Sequence, residues 1–280
     1  MHGIGNDYIF FNCFDMQINN PQKLSVILSD RHFGIGSDGI ILILKSDICD
    51  IKMRMFNSDG SEGKMCGNGI RCVSKYVIDK GLVDKDKNEI TIETLSGIKK
   101  AVVYKNNNIV DEVTINMGKP SFKTKDIGVL SDKEELLNYS ILVDNKEYII
   151  SCVSMGNPHA VIFCDDIDSI DVEGKGKEIQ NMEIFPNGVN VEFAEFIDND
   201  TIKMRVCERG SGETLACGTG ACSVCSICYK MGIFNKDKAI TVKLRGGDLK
   251  IKNVNDDIIM TGKATLVYEG NIEVEDNYDK

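Results

Sequence analysis

Cys66-Gly67-Asn68-Gly69 and Cys217-Gly218-Thr219-Gly220 are one device used twice, 151 residues apart. The same offset superposes Gly5-Asn6 on Gly156-Asn157 and Met53-Arg54 on Met204-Arg205. It also sets Glu62 on Glu213, Val73 on Val224 and Gly81 on Gly232. With one residue of slip, Ile90-Thr91 matches Ile240-Thr241, and Gly97 and Lys100 match Gly247 and Lys250. So many matches at one spacing mark a tandem duplication, and a period this long makes each copy a domain rather than a solenoid unit. Two copies related by a pseudo-two-fold axis would present one Cys-Gly-x-Gly turn from each side of a shared cleft. Two thiols facing one atom could move a proton from one face of a carbon to the other.

The length agrees with two copies, because 280 residues exceed what one core usually holds, roughly 250 residues. The first copy is expected over residues 1–115, with a C-terminal return over 263–280, and the second over 116–262. Asn116-Met117-Gly118-Lys119-Pro120 reads as the crossing between them, and Thr261-Gly262-Lys263-Ala264 resembles it one copy later. The tail from Thr265 to Val274 reads as a strand that returns to the first copy.

Net charge is −10 with Lys and Arg dispersed, so no basic stripe is available to neutralise phosphates and a nucleic-acid partner is not expected. The longest apolar run, Ile40 to Leu44, is far too short to span a bilayer. No basic leader with a small-residue cleavage site precedes Asp15. Eleven cysteines in such a chain are expected to remain reduced thiols in a cytoplasm.

Strand signals dominate each copy. Tyr8 to Phe11, Ile40 to Leu44, Lys52 to Phe56, Ile90 to Glu93 and Val102 to Tyr104 are β-rich runs bounded by turn residues. Ala160 to Phe163, Val191 to Ala194, Lys203 to Cys207, Ile240 to Lys243 and Leu249 to Lys252 are their partners. One long helix per copy follows the cysteine: Asn68 to Lys80 before Gly81, and Thr219 to Met231 before Gly232. Shorter helices are expected around Pro21 to Ser29 and Lys175 to Ile179. The predicted class is α+β with mixed sheets, in two pseudo-symmetric domains, each a strongly curved sheet around one central helix.

Cys66 and Cys217 sit where a helix begins, and the free N–H groups and positive dipole end there should lower a thiol pKa. The amides of Gly67, Asn68, Gly218 and Thr219 could hold a carboxylate or stabilise an enolate-like charge. One thiolate would take a proton while the other thiol supplies one from the opposite face. The plain alternative is a pair of structural turns with buried cysteines, but two copies in register weigh against it. Cys217, Cys222, Cys225 and Cys228 spell C-x4-C-x2-C-x2-C, which begins like an iron–sulfur spacing. Helical spacing of the last three instead suits a packed face of small thiols. A phosphate site at the helix starts lacks the usual glycine-rich patterns.

Divergence between the copies points to an asymmetric ligand. Asn57 maps onto Glu208, and Gly39 onto Asn190. Glu208-Arg209 could grip an amino group and a carboxylate together. His159 either assists a thiol or caps a strand; His2 and His32 have no partner in the repeat.

At these residues the chain resembles the diaminopimelate epimerases. The matching segments are His2-Gly3-Ile4-Gly5-Asn6-Asp7, Asp30 to Gly36, Phe56-Asn57-Ser58-Asp59-Gly60-Ser61, Cys66 to Gly69, Gly156-Asn157-Pro158-His159, Val189-Asn190-Val191, and Glu208-Arg209-Gly210 through Gly220. They run in order over nearly the whole chain. The resemblance implies conversion of LL- to meso-diaminopimelate with no cofactor and no metal, in lysine and peptidoglycan precursor synthesis, by a homodimer. It implies Cys66 as proton donor and Cys217 as acceptor in that direction. It implies substrate binding by Asn6, Asn57, Asn157, Asn190, Glu208 and Arg209, with backbone at Gly67-Asn68 and Gly218-Thr219, and support of the acid–base work by His159 and Glu208.

Three departures accompany the resemblance. Some members carry Gln where Gly39 stands, and Cys207 replaces a usual aromatic. The family usually begins with a short strand before His2-Gly3; the second copy has that strand at Tyr148-Ile149-Ile150. The first copy has no residues for it, so its start is trimmed or the neighbouring strand lies at an exposed edge. A related thiol-pair racemase for another amino acid and a non-enzymatic thiol or iron–sulfur module are the competing readings.

Overall fold

The computed structural model describes residues 1–274, and chain contacts divide it into two units. Met1–Ile115 and the chain from Gly262 form the first, and Asn116–Thr261 the second. In the first, β1 (His2–Gly3), β2 (Asn6–Asp7) and β3 (Ile9–Asn12) precede α1 (Pro21–Ser29). Then come β4 (Gly39–Leu44), β5 (Ile51–Asn57), β6 (Glu62–Gly63), α2 (Gly67–Asp79), β7 (Glu89–Thr94), β8 (Gly97–Asn106) and β9 (Ile109–Asn116). The second opens with α3 (Thr124–Ile127), β10 (Tyr139–Val143), β11 (Lys146–Ser154) and β12 (Pro158–Phe163). It continues through α4 (Val172–Gln180), β13 (Asn190–Phe196), β14 (Thr201–Glu208), β15 (Gly212–Thr214) and α5 (Gly218–Lys230). It closes with β16 (Ile240–Leu244), β17 (Gly247–Val254) and β18 (Asp257–Lys263).

The duplication is visible in the pairing. β3 runs parallel to β4, β4 antiparallel to β5, β5 parallel to β7 and β7 antiparallel to β8. The second unit repeats that alternation with β12, β13, β14, β16 and β17. It adds the hairpin β10–β11 on the far side of β12, and among the described residues the first unit has no counterpart of that hairpin. β3 therefore pairs with β4 alone and stands at a sheet edge.

In each unit the central strands are covered on two faces, set by the alternation of side chains along a strand. Val191 and Phe193 of β13 pack with Val172 and Ile179 of α4. Their neighbour Glu192 points to the other face. In the first unit Leu24 and Leu28 of α1 pack with Ile40, Leu42 and Phe56, which leaves Ile41 for the other face. α5 packs on β11, β12 and β13 and also on β17, strands well separated in sheet order, so the sheet curls around it. Its burial from Gly220 to Tyr229 is nearly complete, as expected of an apolar helix in the middle of a domain. Cys222, Cys225 and Cys228 are fully buried packing residues of that helix. Among the described residues no three His, Cys, Asp or Glu side chains converge as a metal site.

Both long helices start one residue earlier than the sequence suggests, because each cysteine is itself the N-cap. They stop before glycines in left-handed conformation, Gly81 (φ 67°) and Gly232 (φ 69°). The expectation of a strand over 265–274 fails. Thr265 makes a single bridge to His2, and the rest of the described tail has no ladder. Leu266 to Ile272 instead line a groove of about 680 Å³ with Tyr8 to Asn12 of the first unit. Residues 275–280 of the expected return lie outside the described residues.

Candidate active site

In both units the sulfur caps its own helix. Cys66 Sγ accepts from the Gly69 amide at 3.4 Å, and Cys217 Sγ from the Gly220 amide at 3.3 Å. The cysteine carbonyls take the next amides, of Ile70 and Ala221. The amides of Gly67 and Asn68, and of Gly218 and Thr219, are the first-turn donors that remain among the described residues.

Around Cys66 the partners are amides. Its Sγ lies 3.5 Å from Asn6 Oδ1, which also accepts from Asn68 Nδ2 at 3.2 Å. Asn6 Nδ2 donates to Asp38 at 2.7 Å, and buried Arg71 donates to Asn68 Oδ1 at 2.7 Å. Asp38 was not singled out in the sequence; burial, then the nearby Asp7 carboxylate, pushes its pKa up. Asn57 donates to Ser61 Oγ at the end of β5.

Around Cys217 the network reaches ionisable groups. Thr219 Oγ1 lies 3.4 Å from Cys217 Sγ and accepts from Asn157 Nδ2 at 3.3 Å. Asn157 Oδ1 lies 3.0 Å from His159 Nε2, and His159 Nδ1 lies 2.6 Å from Glu192 Oε1. Glu208 accepts from the Thr214 hydroxyl at 2.6 Å and is hydrogen-bonded with Cys217. Burial raises the Glu208 carboxyl above its ordinary value, partly offset by those two bonds. Asn190 bridges Pro158 O and the Arg209 amide, tying β12 to the end of β14.

The structure reverses the expected thiol chemistry at Cys217. Burial first, and then the Glu208 and Glu192 carboxylates, push its pKa well above the ordinary value; the Thr219 and Gly220 contacts only partly oppose this. These contacts favour the thiol form of Cys217, beside the Glu208 carboxyl. Glu208 is the last residue of β14, and Arg209 opens the turn that follows it. Glu208 turns to Cys217, while the exposed Arg209 donates to the Asn187 carbonyl.

Glu192, which sequence reading passed over, also joins this cluster through His159. In Asn190-Val191-Glu192-Phe193 it looks like an ordinary alternating position, yet it is fully buried. The signal was in the repeat: the offset of 151 sets Glu192 on Ile41 and His159 on Tyr8. Two departures are also explained. A Cβ at Gly39 would stand 2.1 Å from the Phe56 carbonyl oxygen, so no side chain fits there. Cys207 lies under α4, where a Cβ on Gly176 would meet its Cβ at 2.3 Å; a larger side chain would lift the helix.

A family model described as diaminopimelate epimerase matches residues 1–123 and 151–267. The diaminopimelate epimerase of Acetivibrio thermocellus is 48% identical, over 99% of this chain and 98% of its own. That of Methanococcus maripaludis (strain S2) is 51% identical over 98% of each. Among solved structures, a Bacillus anthracis phenazine biosynthesis protein of the PhzF family superposes with a TM-score of 0.71 at 20% identity, covering 98% of this chain and 95% of its own. A probable proline racemase from Agrobacterium radiobacter K84 gives 0.68 at 14%, covering 92% and 83%. At these identities the two structures show a shared fold.

Proposed function

The chain belongs to the diaminopimelate epimerase family, and from that premise we propose that Cys66 and Cys217 are the two bases with which it inverts one α-carbon of diaminopimelate. It is an isomerase acting between LL- and meso-diaminopimelate. The observation that carries the two-base reading is the repeated cap: a thiol on a helix start in each unit, with two first-turn amides left over beside it.

The steps follow from the groups at each half-site. Glu208 takes the Cys217 proton, which leaves a thiolate at the helix start. That thiolate removes the α-proton of the LL substrate, breaking C–H and forming S–H. The charge moves onto the substrate carboxylate, which the Gly67, Asn68, Gly218 and Thr219 amides stabilise. The Cys66 thiol then gives its proton to the opposite face and is left as thiolate. Asn6, Asn57, Asn157 and Asn190 orient the reacting end, and Arg209 meets the carboxylate of the distal end. The proposal includes a homodimer working in the cytoplasm, on the resemblance alone. Among the described residues no helix is long and apolar enough to cross a membrane.

Purified protein should epimerise LL-diaminopimelate without added cofactor. Cys66→Ala and Cys217→Ala should each abolish turnover while keeping the native circular dichroism spectrum. Near-native turnover in either variant would refute the two-base assignment.

A further inference from the structure

We propose that Asp38 and Arg71 are positioning residues for Cys66: they anchor the two ends of a chain Arg71–Asn68–Asn6–Asp38 that turns the Asn6 carbonyl oxygen to the sulfur and keeps it there. This deepens the two-base reading of Cys66 and rests on it.

Three observations carry the inference. The first is that the chemistry of the two ends decides the direction of the chain. Arg71 Nη2 lies 2.7 Å from Asn68 Oδ1, and a guanidinium only donates, so the oxygen of Asn68 must face it. The Asn68 nitrogen is thereby turned to Asn6, 3.2 Å from its oxygen, and the Asn6 nitrogen meets Asp38 Oδ2 at 2.7 Å. That carboxylate oxygen also takes the Asp7 amide at 3.1 Å, and Oδ1 takes the Arg31 guanidinium at 3.2 Å, so Asp38 faces donors on both oxygens. Turning over either asparagine alone sets donor against donor at one contact and acceptor against acceptor at the other. Turning over both moves the conflict to the two ends. An amide orientation is assigned through its hydrogen-bond network, and here the network leaves one choice. It holds Asn6 Oδ1 at 3.5 Å from Cys66 Sγ, where the oxygen accepts from the thiol that gives its proton in the proposed reaction.

The second is how tightly the cationic end is held. Arg71 is fully buried on α2, a place arginine rarely takes unless paired, and Asn68 is buried beside it. Arg71 Nε also donates to the Lys263 carbonyl at 3.1 Å, which fixes the plane of the guanidinium. A Cβ at Gly3 would stand 2.9 Å from Arg71 Nη2 and 3.0 Å from Asn68 Cβ, so the backbone of β1 closes over both side chains and leaves Asn68 little room to turn.

The third is the comparison that the duplication provides. The offset of 151 sets Asn157 on Asn6 and Thr219 on Asn68, and it sets Cys222 on Arg71 and Val189 on Asp38. The contact in the middle is repeated, at 3.2 Å between Asn68 and Asn6 and at 3.3 Å between Asn157 and Thr219. The charged ends are not: Cys222 and Val189 are fully buried packing residues. The same scaffold is therefore built a second time without either anchor. A cation at one end and a carboxylate at the other belong to the copy that carries Cys66, and the fold alone does not call for them.

The test compares variants of the intact protein. Asp38→Ala removes the acceptor that holds Asn6. Asp38→Asn can keep an oxygen toward Asn6 and turn its nitrogen to the exposed Arg31, which is free to swing away. With LL-diaminopimelate, kcat of Asp38→Ala should fall about tenfold to a hundredfold, the cost of a group displaced by about 1 Å, with KM near that of the wild type. Asp38→Asn should recover most of the loss. Arg71→Met, which keeps bulk without donors, should lower kcat as Asp38→Ala does. In an Asn6→Ala background, adding Asp38→Ala should lower kcat no further. Wild-type kcat in Asp38→Ala, an equal loss in Asp38→Asn, a loss confined to KM, or a full further loss in the Asn6→Ala background overturns the proposal. A second measurement needs no substrate. The side-chain amide hydrogens of Asn6 and Asn68, assigned by their loss in Asn6→Ala and Asn68→Ala, should exchange slowly with solvent in the wild type. In Asp38→Ala those of Asn6 should exchange about tenfold faster, as loss of a bond to a charged group allows, while those of Asn157 stay unchanged. Free-amide exchange of Asn6 or Asn68 in the wild type overturns the proposal. Slow exchange in a protein that fails the epimerase assay would remove the proposed reaction and leave the anchored chain standing.

Discussion

Gly69 and Gly220 occupy the same place in the two copies, and replacing each by alanine should give very different results. Both lie in the first turn of a helix, where alanine is intrinsically better than glycine by about 0.5–1 kcal/mol. The surroundings decide the sign. At Gly69 the new Cβ would meet Ile41 Cδ1 at 2.7 Å and Met53 Cε at 3.0 Å, both ends of flexible side chains that can turn away. Gly69→Ala should therefore cost less than about 1 kcal/mol net. At Gly220 the Cβ would stand 2.7 Å from Glu192 Oε1 and 3.3 Å from both Cβ and Sγ of Cys217. Relief there requires Glu192 to leave His159. Losing a charge-assisted bond in a packed site, on top of overpacking, puts Gly220→Ala at about 2–5 kcal/mol after the helix gain. Urea unfolding followed by tyrosine fluorescence measures the difference, since the chain has no tryptophan. Turnover of LL-diaminopimelate should collapse in Gly220→Ala and persist in Gly69→Ala. Equal midpoints and equal turnover in the two variants would refute the description of what lies under each thiol.

Glu208 should make stability fall with pH. Its carboxyl pKa is raised above the ordinary 4.5, so the folded state holds the proton more tightly; stability is full below 4.5 and declines as pH rises through the raised value. Glu208→Gln should lack that decline in urea midpoints taken between pH 4.5 and 8, and should epimerise poorly; an unchanged decline would contradict the burial of this carboxylate. Arg209→Met should lower binding and turnover of diaminopimelate together, by about 2–5 kcal/mol if its charge meets a distal carboxylate. Wild-type protein should correspondingly favour diaminopimelate strongly over lysine, alanine, glutamate and proline, and comparable racemisation of lysine would remove that role.

The duplication made much of this legible. A strand run in one copy predicted its partner, and the glycine after each long helix marked the stop. The helix starts were missed by one residue because sulfur is not among the usual N-caps. The tail was misread because Leu266 and Val267 have strand-like side chains, yet they line a groove with β3 without pairing to its edge. At Glu208-Arg209, adjacency in sequence hid the end of β14 between the two residues: Glu208 turns to Thr214 and Cys217, and Arg209 to the Asn187 carbonyl. Glu192 was hidden for the opposite reason: its strand alternates normally, and only burial reveals that the face turned from α4 is as closed as the other. The thiol pKa was misjudged because a helix start argues for one direction and burial for the other, and sequence carries little information about burial.

The central claim, two thiols on opposite faces of one carbon, is tested most directly by epimerising LL-diaminopimelate in deuterated water and stopping at low conversion. The account predicts meso product carrying one deuteron at the inverted α-carbon, because Cys66 supplies it from solvent. Recovered LL substrate should still carry its original proton, because Cys217 returns what it took. Meso product that keeps the substrate's own proton would show a single base working both faces and would contradict the account.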